Sequence, residues 1–159
     1  LESALATQSP AAVWRDHIAP NFDAYMGHVF ETIVEEAYYR LQTPLGLPLV
    51  AEWGRWEGVD RERKPLEMDI ACTLVDGRVL TGAIKWNRNV VDVHVHTEHL
   101  AMLDRLARSG VAWAHTALDP ESPLLYVASN GFTDRFRRAA EASRDQVYLW
   151  TLDDLYREV

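Results

Sequence analysis

The segment Leu66–Trp86 constrains the fold of this chain more than any other. It consists of two apolar runs, LEMDIACTL and VLTGAIKW, joined by a short turn that contains Asp-Gly. Asp-Gly between two strand-like runs is a strong signal for a β-hairpin. Asp69 lies inside the first run and Lys85 inside the second. Because charged side chains are rarely buried without a partner or a function, these two residues are the first candidates for a functional site.

The length of the turn decides whether the two charges share a face of the hairpin. A two-residue turn would put Asp69 and Lys85 on opposite faces, since side chains alternate along a strand. A three-residue loop, Val75–Gly77, with Gly77 at positive φ, shifts the register by one residue. In that register Asp69 lies opposite Ala83 and on the face of Lys85. We therefore predict the three-residue loop.

An acid in one strand, followed across a hairpin by acid-x-Lys, resembles the core of the PD-(D/E)XK nucleases. In that family the acids hold a divalent metal and the lysine helps to activate water. Asp69 matches the first acid, Lys85 matches the lysine, and Glu31 in GHVFE matches the glutamate on the preceding helix. The resemblance implies Lys85, Asp69 and Glu31 as catalytic residues, Asp69 and Glu31 as metal ligands, and weakly bound Mg²⁺ or Mn²⁺ as the cofactor. This chain departs from the pattern at the second acid, whose position is Ala83.

Longer segments extend the resemblance to most of the chain. YMGHVFE, EMDIA, GAIKWN and YVASNGFTDRF are similar to the C-terminal domain of archaeal-type ATPases, over roughly Trp14–Val159. This implies a lead-in segment over 1–20 and a nuclease-like domain over 21–159, as the C-terminal fragment of a longer ATPase. The sequence contains no Walker A loop. ATP would therefore bind only in the missing N-terminal part, and the parent ATPase domain would be a partner.

The order of the predicted elements indicates an α/β fold. Apolar residues at three- and four-residue spacing predict a long helix from Pro20 or Asn21 to Leu41. The remaining predicted elements are strands over Leu47–Trp56, Leu66–Leu74, Val79–Trp86, Val111–Leu118, Leu124–Ser129 and Val147–Trp150, a charged loop over Glu57–Lys64, and helices over Thr97–Arg108, Thr133–Ala142 and the C-terminus. Together with the resemblance, this predicts a three-layer αβα sandwich with a mixed central sheet and a restriction-endonuclease-like core.

Composition restricts the function and the compartment. The net charge of −8 and the pI near 5.2 exclude a protein whose whole surface follows a phosphate backbone, so any nucleic-acid contact must be local. The single cysteine, Cys72, allows no intrachain disulfide and favours the reducing cytoplasm. The sequence has no apolar run long enough to span a membrane and no signal segment, which predicts no membrane partner.

Three histidines form a second, weaker candidate site. His94 and His96 follow an HxH pattern and His99 comes three residues later. In a strand, HxH would point both rings to the same side, as a zinc site requires. Histidines at a junction between strand and helix are more often surface or capping residues, so zinc remains the minor alternative.

Two functions therefore stand open at this stage. One is an active Mg²⁺-dependent DNA endonuclease that uses Asp69, Lys85 and a displaced acid such as Glu67 or Glu57. The other is a non-catalytic module that contacts DNA or docks a partner, in which Asp69 and Lys85 form an ion pair between strands. The acidic net charge and the missing acid at Ala83 favour the non-catalytic module. Whether the chain is an enzyme is left open.

Overall fold

The computed structural model describes residues 2–143 and 146–159. In chain order, the helices are α1 (Glu2–Thr7), α2 (Pro10–Val13), α3 (Ala19–Leu41), α4 (His94–Arg108), α5 (Ala112–Ala117), α6 (Asp134–Ala142) and α7 (Leu152–Leu155), with a π-helical turn over Trp14–Ile18. The strands are β1 (Val50–Glu52), β2 (Trp56–Val59), β3 (Pro65–Met68), β4 (Ile70–Leu74), β5 (Val79–Lys85), β6 (Leu124–Ala128) and β7 (Val147–Trp150).

A mixed sheet forms the centre of the fold. Its strand order is β1-β4-β5-β6-β7. The pairs β1–β4 and β4–β5 are antiparallel, and the pairs β5–β6 and β6–β7 are parallel. Strands β2 and β3 form a separate two-stranded sheet. At Gly82 in β5, a Cβ would lie only 1.7 Å from the carbonyl oxygen of Leu125 in β6. The close pairing of β5 with β6 therefore requires glycine at this position.

Helices cover both faces of the central sheet, which confirms the predicted α/β sandwich with a mixed sheet. On one face, the apolar side of α3 (Phe30, Val34, Ala37, Tyr38 and Leu41) packs on β4, β5, β6 and β7. Helices α4, α5 and α6 pack on the opposite face. Cys72 is buried under α3, and this burial raises the pKa of its thiol to about 12. No helix in the described ranges has the length and apolar character that a membrane span requires.

The hairpin has the predicted register. Ile70 pairs with Gly82 and Thr73 with Val79, so one step further along the ladder Asp69 stands opposite Ala83. The loop has three residues, Gly77 has a φ of 87°, and its amide donates to the carbonyl of Leu74. This register was predicted from the requirement that Asp69 and Lys85 share a face, since Asp-Gly is also compatible with a two-residue turn.

Other predicted strands are wrong in their extent or type. The predicted strand Leu47–Trp56 is two strands, and β2 continues to Val59 inside the segment predicted as a charged loop. The predicted strand Val111–Leu118 is instead helix α5, in which Ala114 and Ala117 are buried against α4. Its alanines have high helix propensity, and Ala114 and Ala117, three residues apart, share a face in a helix but not in a strand.

Candidate functional site

Asp69 lies at the point where the first strand of the predicted hairpin is interrupted. The chain bends at this residue, because β3 pairs with β2 while β4 joins the central sheet. Oδ2 of Asp69 accepts a hydrogen bond from the backbone N–H of Ile84 at 2.9 Å. This bond holds the carboxylate beside the carboxyl end of β5 and uses one of its two oxygens. Asp69 lines two cavities, one on each side of the sheet.

The α3 cavity opens on the side of helix α3 and has a volume of about 270 Å³. It is lined by Glu31, Thr32, Glu35, Trp53, Gly54, Arg55, Asp69 and Ile84. Carboxylate oxygens of Glu31, Glu67 and Asp69 lie within 4.8 Å of one another, with Glu31 in the lining of this cavity, Glu67 in that of the second cavity and Asp69 in both. The structure therefore brings Glu31 to Asp69, as predicted from its place beside the apolar stripe of the helix, and adds Glu67. The catalytic and metal-binding roles of these residues stay predictions.

Glu31 is held in a setting that favours its protonated form. Burial raises the pKa of its carboxyl, Arg55 opposes that effect, and the negative charges of Asp69 and Glu67 raise the pKa further. A cation between these carboxylates would remove their mutual repulsion.

Arg55 is a residue of this site that the sequence analysis missed. Its guanidinium forms ion pairs with Glu57 at 2.8 Å, with Glu31 at 3.8 Å, and with Glu67. Glu57 and Glu67 stand directly opposite each other in the β2–β3 pair, where two like charges repel. A cation two residues before Glu57 was the signal that could have revealed this contact, once the β2–β3 pairing was recognised.

The α4 cavity opens on the other side of Asp69 and has a volume of about 390 Å³. It is lined by Pro65, Leu66, Glu67, Asp69, Gly82, Ala83, Lys85, Val95, Glu98, His99, Met102 and Arg105. Asp69 and Lys85 thus share a face, as predicted. Lys85 has no carboxylate oxygen within 4.0 Å in the described ranges. The hypothesis of an ion pair between Asp69 and Lys85 is therefore wrong.

The three histidines do not converge on a metal. Helix α4 begins at His94, so the HxH pattern lies on a helix, where residues two apart do not share a face. Nε2 of His99 is 2.9 Å from the hydroxyl of Thr81 in the core, and Nδ1 of His96 is 2.7 Å from the hydroxyl of Tyr126. Burial lowers the pKa of His99 to about 3, with smaller contributions from His96 and Lys85. His99 is thus a neutral, hydrogen-bonded core residue.

The cluster of Glu31, Glu67 and Asp69 fits a hard divalent cation. Mg²⁺ and Mn²⁺ prefer oxygen ligands, and Glu31, Glu67 and Asp69 supply three carboxylates within reach of a common ion. Glu67 brings the negative charge that Ala83 lacks. Arg55 is the competing cation, since it already contacts two of the three acids.

Comparison with solved structures gives a distant likeness. The structure of EndoMS in its apo form shares 11% sequence identity with this chain, with a TM-score of 0.41. The alignment covers 76% of this chain and 46% of the EndoMS chain, so this chain spans less than half the length of that structure. No curated protein matches the chain.

Comparison with protein families identifies one. The model of DUF234, described as archaea bacterial proteins of unknown function, matches residues 2–97. This match includes helix α3, the hairpin, and the three clustered acids Glu31, Glu67 and Asp69. It covers more than half of the chain, which therefore belongs to the DUF234 family.

Proposed function

We propose that this domain is a metal-dependent phosphodiesterase that acts on nucleic acid. The observation that carries the proposal is the convergence of Glu31, Glu67 and Asp69 at the end of a hairpin whose other strand presents Lys85. Glu67 replaces the acid that the nuclease pattern places at Ala83. Mg²⁺ or Mn²⁺ would be held by the three carboxylates, and binding would be weak because Arg55 competes for two of them.

Residues that line both cavities would contribute to the reaction. A bound divalent ion would lower the pKa of water and stabilise negative charge on a phosphate. Asp69, fixed by the N–H of Ile84, is oriented before any ligand binds. Lys85 faces the α4 cavity without a carboxylate partner, so its side chain is available to orient the attacking water as the ammonium, or to accept a proton from it as the neutral amine. Glu31 must lose its proton to bind a cation, and its raised pKa moves that event to higher pH.

Arg55 supports a second candidate function, a non-catalytic module. A guanidinium that bridges Glu31, Glu57 and Glu67 neutralises the acids without any metal. In this proposal the domain contacts DNA or docks a partner as the C-terminal part of a longer cytoplasmic ATPase. The ATPase would bind ATP in a part outside this chain. The absence of an acid at position 83 favours this candidate.

Calorimetric titration of the domain with Mn²⁺ and Mg²⁺ distinguishes the two functions. For the phosphodiesterase we expect weak binding by the parent, tighter binding by Arg55→Gln because the competing cation is gone, and loss of binding by Glu67→Gln. Arg15→Gln is the matched control, since Arg15 is 73% exposed and pairs with Asp16, away from the three acids.

Plasmid nicking in Mn²⁺ provides the second readout. The parent should nick plasmid DNA slowly, and Lys85→Met should abolish nicking while leaving Mn²⁺ binding intact. If neither the parent nor Arg55→Gln binds metal or nicks DNA, the phosphodiesterase is excluded and the non-catalytic module stands.

A further inference from the structure

The α4 cavity is lined by two cations, Lys85 and Arg105, that form no ion pair with any residue the structure describes. One face of α4 lines this cavity over its whole length, from Val95 in the first turn to Arg105 in the last. Arg105 has an exposed side chain. Within the part of the chain that the structure describes, neither Arg105 nor Lys85 forms an ion pair within 4.0 Å. Two positive groups thus face one cavity without a negative partner.

The acids of the same cavity do not serve as those partners. Glu67 is paired with Arg55, and Asp69 accepts the N–H of Ile84. Glu98 lies two helical turns before Arg105 on α4, about 10 Å away along the helix axis. His99, which also lines the cavity, is neutral because burial lowers its pKa to about 3. Lys85 and Arg105 can therefore each pair with an anionic group from outside, in a cavity whose lining also includes the carboxylates of Glu67, Asp69 and Glu98.

The positions of the two cations suit a chain of phosphates. Lys85 is close enough to His99 to lower the pKa of that ring. Arg105 lies six residues beyond His99, which is about 9 Å along the helix axis. An extended strand carries phosphates at regular intervals, so the end of β5 and the last turn of α4 would face different phosphates of one strand.

We propose that Arg105 binds a backbone phosphate of a nucleic-acid strand that lies in the α4 cavity, next to the phosphate that Lys85 faces. The proposal rests on the proposed function for the choice of ligand. A guanidinium binds phosphate through paired N–H donors, which fixes the position of the strand as well as attracting it. Arg105 is thus a positioning residue: it sets which phosphate reaches Lys85, and it takes no part in the reaction.

The salt dependence of DNA binding tests this role. Binding of a fluorescein-labelled DNA duplex is measured by anisotropy in EDTA, from about 50 to 200 mM salt. Loss of one phosphate contact should lower the slope of log K against log salt by about 0.9. We expect this change for Arg105→Ala, with affinity reduced by about tenfold at low salt, the equivalent of about 1.4 kcal/mol. Arg105→Lys should restore the slope, because a lysine still neutralises a phosphate.

Arg108→Ala is the matched control. Arg108 lies on the same helix, is 78% exposed, pairs with Asp104, and does not line the α4 cavity. It should keep the slope and affinity of the parent. The inference is overturned if Arg105→Ala behaves like Arg108→Ala, or if the parent has no affinity for DNA.

The two proposals fail separately. A parent that binds DNA through Arg105 but neither binds Mn²⁺ nor nicks plasmid overturns the phosphodiesterase and keeps the phosphate contact. If the parent nicks DNA but Arg105→Ala leaves the salt dependence of DNA binding unchanged, the phosphate contact is overturned and the phosphodiesterase is kept. Thermal melts of each variant establish that the compared proteins are folded.

Discussion

The two cavities that meet at Asp69 differ in how their charges are satisfied. At the α3 cavity, Arg55 is shared among Glu31, Glu57 and Glu67, so the chain supplies its own counter-ion. At the α4 cavity, Lys85 and Arg105 have no acid within ion-pair distance among the described residues. The acids around Arg55 are therefore neutralised without a ligand, whereas Lys85 and Arg105 at the α4 cavity can still pair with a bound anion. The cavities should respond differently to substitution.

The largest effect is expected for His99→Ala on the α4 side. His99 is only 4% exposed and forms a buried hydrogen bond with Thr81. Its removal leaves a void and an unpaired hydroxyl, so unfolding in urea should show a loss of about 2 to 4 kcal/mol. On the α3 side, Thr32→Ala at an exposed position should change the free energy of unfolding by less than about 0.5 kcal/mol. Equal effects of the two substitutions would contradict the assignment of His99 to the core.

Ala83→Glu should have an intermediate effect, because it restores the acid of the nuclease pattern. The new carboxylate would stand opposite Asp69, and two adjacent carboxylates repel. Without metal we expect a loss of about 1 to 3 kcal/mol. Mn²⁺ should recover that stability by binding the folded state, and should stabilise the parent only slightly.

Ala83→Gln is the control for Ala83→Glu, since it adds a side chain of the same size without the charge. Its melting temperature should respond to Mn²⁺ no more than that of the parent, because it keeps the same three acids. A parent whose melting temperature already rises as strongly as that of Ala83→Glu would show that Glu67 fully replaces the missing acid.

The smallest effect is expected for Glu31→Gln, and its sign depends on pH. The pKa of Glu31 is raised in the folded state, so folding is favoured while the carboxyl is protonated. This contribution is present below the ordinary value of 4.5 and is lost as pH rises through the folded pKa. Glu31→Gln should therefore gain stability relative to the parent as pH increases, by less than about 0.5 kcal/mol.

Urea unfolding at several values from about pH 4 to pH 7 measures this difference. Glu36→Gln, an exposed position on the same helix, is the control. A difference between Glu31→Gln and the parent that stays constant over this range would show that the setting of Glu31 does not favour its protonated form.

Local chemistry explains which parts of the site were predictable. The register of the hairpin was predicted because a three-residue loop with Gly77 at positive φ places Asp69 and Lys85 on one face, and the structure has that loop and that register. The approach of Glu31 to Asp69 followed from the edge of an apolar stripe together with a family resemblance.

Contacts that depend on tertiary pairing were not predictable in the same way. Arg55 was missed because β2 is hidden in a charge-rich segment that has the composition of a loop, and its partners Glu57 and Glu67 meet only when β2 pairs with β3. Arg105 lines the α4 cavity because helix α4 packs on the sheet. The sequence of α4 alone does not indicate which of its exposed residues border that cavity.

The separation of these contacts along the chain has a consequence for the order in which the site forms. The hydrogen bond from Ile84 to Asp69 joins residues only 15 apart in the sequence. The pairing of β5 with β6 joins more distant residues, since β6 begins at Leu124. Because closing a short loop costs less entropy, we expect the hairpin to form before α3 and α4 dock on it. A cation or a phosphate that also binds Glu31 or Arg105 would stabilise contacts that form late. Such a ligand should slow unfolding and leave the folding rate almost unchanged.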